Sequence, residues 1–157
     1  MTSRLKQAGA LTAAGIMAVS LLVGLEGQRE RAYLDLVKKW TICNGETAGV
    51  TEGMVKTPAE CRAMLVQSAI KHEQGMRACL KRPDSLPDPT YVALLSFTYN
   101  VGTGAFCRAS LTRKINAGDI RGGCDGLLAW DRAGGRKVRG LTLRRQKERE
   151  LCLKGLS

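Results

Sequence analysis

A chain of 157 residues with 44% hydrophobic content suits one domain, or two small lobes sharing a core, and excludes global disorder. Its 25 Lys and Arg against 14 Asp and Glu leave a charge of +11, a field that concentrates polyanions such as nucleic acid, acidic lipid or the anionic polymers of a bacterial wall. The basic residues are scattered and only 4% of residues are aromatic, so the stacking platforms of a nucleic-acid binder are missing and none is expected.

Residues 7–25 carry no charge and follow Arg4 and Lys6. As one helix this run would measure about 28 Å, close to the roughly 30 Å hydrocarbon thickness of a bilayer. The positive-inside rule would put everything after Leu25 outside the cytoplasm. Gly9, Gly15, Gly24, five alanines, Thr12 and Ser20 dilute the apolar residues. Each Leu, Ile, Phe or Val contributes only about 0.3–0.6 kcal/mol to insertion, so the run sits near the threshold of stable residence. A cleaved signal peptide, a permanent anchor and a reversible anchor that can leave the bilayer and pack on the folded domain are the three readings. Cleavage near Leu25 would strip away the helix that carries Glu26, and the reversible anchor is preferred.

Residues 33–57 are rich in Gly, Thr and Val and predict short strands joined by turns. Thr57, Pro58 and Glu60 then mark a helix start, and apolar residues at three- and four-residue steps extend that helix over 58–81. Pro83, Pro87 and Pro89 form a loop, and Asp88 caps a buried helix over 91–100 that Gly102 and Gly104 stop. Further helices follow over 108–117, from Asp119 as cap to Trp130, and over 142–154 after a loop at Gly134 and Gly135. The fold class is α+β, mostly α. The divisions are an N-terminal segment (1–25), a small strand-bearing lobe (26–57), and a connecting helix with a helical lobe (58–157).

Six cysteines with a single histidine and no close-spaced ligand pair disfavour zinc, and no metal site is expected. Disulfides fit better and imply an oxidising compartment such as the periplasm. Six cysteines allow 15 pairings and spacing does not choose among them. The preferred set joins Cys43 to Cys61, Cys79 to Cys107, and Cys124 to Cys152.

Glu26 and Asp35 lie nine positions apart, one at a helix end and one beyond the turn into the first strand. Two carboxyls across a groove are what glycosidic cleavage needs. One gives its proton to the leaving oxygen, while the other activates water or stabilises positive charge. Thr41 has a hydroxyl that can hold the attacking water.

The strings Glu26-Gly27-Gln28-Arg29-Glu30-Arg31-Ala32-Tyr33-Leu34-Asp35 and Trp40-Thr41-Ile42-Cys43-Asn44-Gly45 resemble the phage lysozymes of glycoside hydrolase family 24. Phe97-Thr98-Tyr99-Asn100-Val101-Gly102, Lys114 to Asp119, Trp130, and Gly140-Leu141 with Arg144, Arg145 and Glu148 extend the likeness over nearly the whole chain. With the apolar run, it is most similar to the signal-anchor-release endolysins of lambdoid phages. The resemblance implies a lysozyme-like two-lobe fold and hydrolysis of the β-1,4 bond between N-acetylmuramic acid and N-acetylglucosamine in peptidoglycan. It also implies a monomer without cofactor, held first at the inner membrane facing the periplasm and soluble there after release.

Matched by residue, the resemblance makes Glu26 the general acid, Asp35 the second carboxylate and Thr41 the water-positioning residue, with inverting stereochemistry. Asn100 and Gly102 fall on the cleft wall, and Arg144 or Arg145 pairs with Glu26, all four being substrate-binding candidates. Glu46 departs from the family, which commonly has His there, and adds a negative charge near the cleft. His72 is expected to have no catalytic part. Two other classes stay open: a lytic transglycosylase, which uses one acid and leaves an anhydro product, and a cationic membrane-disrupting protein.

Overall fold

The computed structural model describes residues 2–157. The uncharged run is not one helix. β1 (Lys6–Gln7) and β2 (Ala10–Leu11) pair antiparallel, with Gln7 opposite Ala10. Between them Ala8 and Gly9 take φ of 46° and 84°, both positive as a type I′ turn requires. Thr12 then caps α1 (Ala13–Glu26), its hydroxyl accepting from the Gly15 N–H at 3.1 Å. No helix among the described residues is long and apolar enough to cross a membrane.

One stripe of α1 is buried, Ala14, Gly15, Ala18, Val19 and Leu22, and it packs on α2 (Pro58–Cys79) and α3 (Asp88–Val101). Burying Val19 and Leu22 stabilises this docking by about 1.5–3 kcal/mol each. Gly15 is needed for the fit: a Cβ there would stand 2.0 Å from the carbonyl oxygen of Leu5. Leu5 is itself buried in the same core.

The small lobe centres on a hairpin of β3 (Arg29–Leu34) and β4 (Trp40–Cys43), with Tyr33 opposite Thr41 and a register irregularity between Arg29 and Tyr33. β3 begins before the expected position 33, because Arg29 already pairs with Cys43. Residues 45–55, expected as strands, are mostly turns, with only single bridges from Ile42 to Glu46 and from Arg31 to Val55. Left-handed Gly45, Gly49 and Gly53 break any longer ladder.

In α2 the reciprocal bonds of Thr57 and Glu60 form the anticipated capping box. α3 is buried at every position from 90 to 98. Asp88 is its first residue rather than its cap, and its carboxylate accepts from Arg4. The helix expected over 108–117 is α5 (Ser110–Asn116), and the extended backbone of Ala109 separates it from an unanticipated helix, α4 (Thr103–Arg108). Gly104 lies inside α4 instead of stopping α3.

α6 (Ile120–Gly126) starts at the Asp119 cap and tightens into a 3₁₀ turn over Leu127–Ala129. The Gly134-Gly135 loop is the turn of a short hairpin, β5 (Arg132–Ala133) and β6 (Arg136–Lys137), and α7 (Arg139–Lys154) starts earlier than position 142. Disulfides join Cys43 to Cys61, Cys79 to Cys107, and Cys124 to Cys152.

Candidate active site

Glu26 is the last residue of α1, and Gly27 at φ 70° turns the chain away into β3. The carboxylate of Glu26 is met by Arg144 from the start of α7, whose Nη1 donates to it at 2.6 Å. The same guanidinium donates through Nε to Glu148 at 3.1 Å and through Nη2 to the Ser96 carbonyl at 3.3 Å. Ser96 completes the loop by donating its hydroxyl to Glu148 at 2.7 Å. Glu148 has no exposed surface. Burial pushes its carboxyl above the ordinary range, opposed by Arg145 and Arg144.

Of the two neighbouring arginines, Arg144 is the one that pairs with Glu26. Arg145, the other substrate-binding candidate, is 0% exposed and offers no surface to a ligand in this arrangement. Its guanidinium lies over the Phe97 ring, 5.0 Å from the centroid, donates to the Asn100 side chain, and stands 3.2 Å from Glu148. Burial pulls it below its usual value while Glu148 opposes the shift. Asn100 is therefore a partner of Arg145, and Gly102 at φ 87° is the C-terminal turn of α3.

The second cluster is built by the β3–β4 turn. Asp35 Oδ1 accepts the backbone N–H groups of Val37 at 2.9 Å and Lys39 at 2.8 Å, an aspartate-centred turn that needs Lys38 in the left-handed region at φ 60°. Thr41 is buried, and its hydroxyl lies 3.1 Å from the Lys39 carbonyl and 3.5 Å from Asp35 Oδ2. Asp35 and Thr41 thus belong together, as Glu26 and Arg144 do, and no hydrogen bond among the described residues joins the two clusters directly.

Two unanticipated residues link the lobes at this point. Asn44, just after β4, donates its side-chain N–H to the carbonyl of Gly27. Tyr99 on α3 lies within hydroxyl reach of the Asn44 carbonyl at 3.5 Å and of Glu46 at 3.3 Å. Burial, then Glu46 and to a smaller extent Glu26, push the Tyr99 hydroxyl well above its usual value, which keeps it a neutral donor. Both residues sit inside the strings that carry the family likeness, but nothing in their spacing signals a cross-lobe bond.

An open hollow of about 400 Å³ flanks the Glu26 end of α1, lined by Gly24, Leu25, Gly140, Leu141 and Arg144 among others. A larger one of about 630 Å³ is lined by Glu46, Met64, Gln67, Ser68, Lys71 and His72 but not by Glu26, Asp35 or Thr41.

The Phage lysozyme family model matches residues 23–148. A SAR-endolysin of Bacteriophage PS119 is 44% identical over 133 residues, covering 84% of this chain and 78% of that protein. Among solved structures, the active form of P1 phage endolysin Lyz is similar with a TM-score of 0.81 at 29% identity, over 93% of this chain and 86% of that one. The secreted inactive form of the same P1 protein gives 0.60 at 24% identity, over 93% and 97%. The chain belongs to the phage lysozyme family and is a muramidase-type glycosidase of the endolysin kind.

Proposed function

We propose that this endolysin hydrolyses the β-1,4 bond between N-acetylmuramic acid and N-acetylglucosamine, with Glu26 as general acid, Asp35 as second carboxylate and Thr41 holding the attacking water. The observation that carries this reading is Glu26 at the C-terminal end of a docked helix, its carboxylate fixed by Arg144 at 2.6 Å. Arg144 is in turn fixed by Glu148 and Ser96, so the acid is held in one orientation before substrate arrives. Two donors, the N–H groups of Val37 and Lys39, fix Asp35 and suit a carboxylate that acts as an acceptor, with the Thr41 hydroxyl 3.5 Å from its other oxygen. Because Glu26 follows the apolar run directly, we further propose that residues 7–25 begin in the inner membrane. Their release into the periplasm, and their packing as seen in this structure, would activate the enzyme. The stronger likeness to the active form of the P1 endolysin than to its secreted inactive form supports taking the docked arrangement as the competent one.

The test is digestion of purified peptidoglycan by the parent and by Glu26→Gln. The parent should release new reducing ends without anhydro sugar, and the variant should lose this by at least about a hundredfold with an unchanged melting temperature. Full lysis of intact cells by Glu26→Gln, measured in parallel, would point to membrane damage instead, and anhydro products from the parent to a transglycosylase.

A further inference from the structure

Ser3 and Arg4 plug into a polar recess that the proposed chemistry does not use. Glu73 on α2 has no exposed surface. Its carboxylate accepts from the Ser3 hydroxyl, from the Arg4 backbone N–H at 2.7 Å and from the Tyr91 hydroxyl at 2.6 Å. The Arg4 guanidinium lies over the Tyr91 ring, 4.2 Å from its centroid, and donates to the carbonyls of Pro83 at 3.0 Å and Leu86 at 2.8 Å and to the Asp88 carboxylate. The recess also holds Arg77, which donates to Tyr91 at 3.3 Å and pairs with Asp84. From Arg4 the contacts run on to the helix that carries the acid. The Arg4 carbonyl accepts from the Thr12 hydroxyl, and the Leu5 carbonyl accepts the Thr12 N–H at 3.0 Å. Thr12 is the cap of α1.

We propose that Glu73, Tyr91, Asp88 and the two carbonyls form a docking socket for the chain's own N-terminus. In this scheme Arg4, Glu73 and Asp88 are positioning residues for Glu26 that set how firmly α1 is retained on the body. The inference rests on the release reading for its biological setting. With the apolar run in a bilayer, Arg4 stands on the far side of the membrane and the socket is empty. Glu73 then keeps Tyr91 but loses both donors from the segment, and a buried carboxylate short of donors is unfavourable. Filling the socket therefore favours the docked state and opposes return of the helix to lipid. Arg4 serves the two states with different partners, whereas Glu73 and Asp88 act only in the docked one.

The experiment uses the full chain with Glu73→Gln and Asp88→Ala, both on the body and away from the apolar run. The Asp88 side chain is 43% exposed, so Asp88→Ala still reports if Glu73→Gln folds poorly. Amide exchange of residues 13–26 should accelerate about tenfold or more, with residues 139–154 unchanged. On purified peptidoglycan, kcat should fall about threefold or more at constant KM, because an undocked molecule keeps the Asp35 hairpin but lacks Glu26. The membrane-bound fraction of freshly expressed chain should rise. Parent-like exchange and kcat in both variants, or equal acceleration of 13–26 and 139–154, would overturn the socket. A parent chain that never fractionates with membranes would instead overturn the release reading, leaving exchange and the kcat split to judge the socket alone.

Discussion

Thr41 shows how one buried hydroxyl can be tested apart from the fold around it. Thr41→Val keeps the branched shape that suits β4 and removes only the oxygen that faces Asp35. Turnover on peptidoglycan should drop about tenfold or more, while the melting temperature stays within a few degrees. Asp84 gives the acid-limb counterpart. Its two oxygens take both Nη atoms of Arg77 at 2.8 Å, and this pairing holds its carboxyl below the ordinary value of 3.8. A depressed folded value means stabilisation that is complete above the unfolded pKa and lost as pH falls through the folded one. Melting temperature measured below about pH 4 should therefore decline less steeply in Asp84→Asn than in the parent. At this scale the spacing of Glu26, Asp35 and Thr41 was legible in the sequence. The partner of Glu26 was legible only as one of two, because Arg144, the observed partner, differs from Arg145 by one helical step of about 100°. The packing of α7 on α3 decides which of the two faces the acid.

Helix α1 shows why one segment can suit two environments. Ala14, Gly15 and Ala18 dilute the apolarity that the proposed membrane stage would need, and the same small side chains let the helix lie close against α2, α3 and the Leu5 backbone. Gly15→Ala should destabilise the docked helix by about 1–3 kcal/mol through overpacking, read as a lower melting temperature and faster amide exchange over 13–26. On the proposed release reading the same change should also slightly favour residence in lipid, so both effects point toward lower activity in cells. The β1–β2 hairpin escaped the sequence reading because two-residue strands leave no alternating pattern, and Ala8 is an unusual residue for a left-handed turn position. The Thr57 capping box and the Asp119 cap were legible because their signals are local. The break at Ala109 was not, since it depends on how α4 and α5 pack.

For the whole molecule, the lobes meet where the Tyr99 hydroxyl of α3 reaches the Asn44 carbonyl and Glu46 just after β4, and Glu26 rests on Arg144, itself held by Glu148 deep in the helical lobe. The two-lobe plan followed from the order of strand-rich and helix-rich stretches, and packing of the apolar run on the body was the preferred expectation, but the burial of Leu5 and the seating of Ser3 and Arg4 were not foreseen. Charge and apolarity describe that stretch equally well in lipid or in protein.

The sulfur bridges lie between Cys43 and Cys152 and leave the first 42 residues untethered. If the leader docks late, as proposed, oxidation can finish and lock the scaffold first, and assembly divides into a covalent act and a later reversible one. On the proposed release reading, a shell hardened after export would lack only Glu26. The arrival of that last piece would then require no exchange of these bridges.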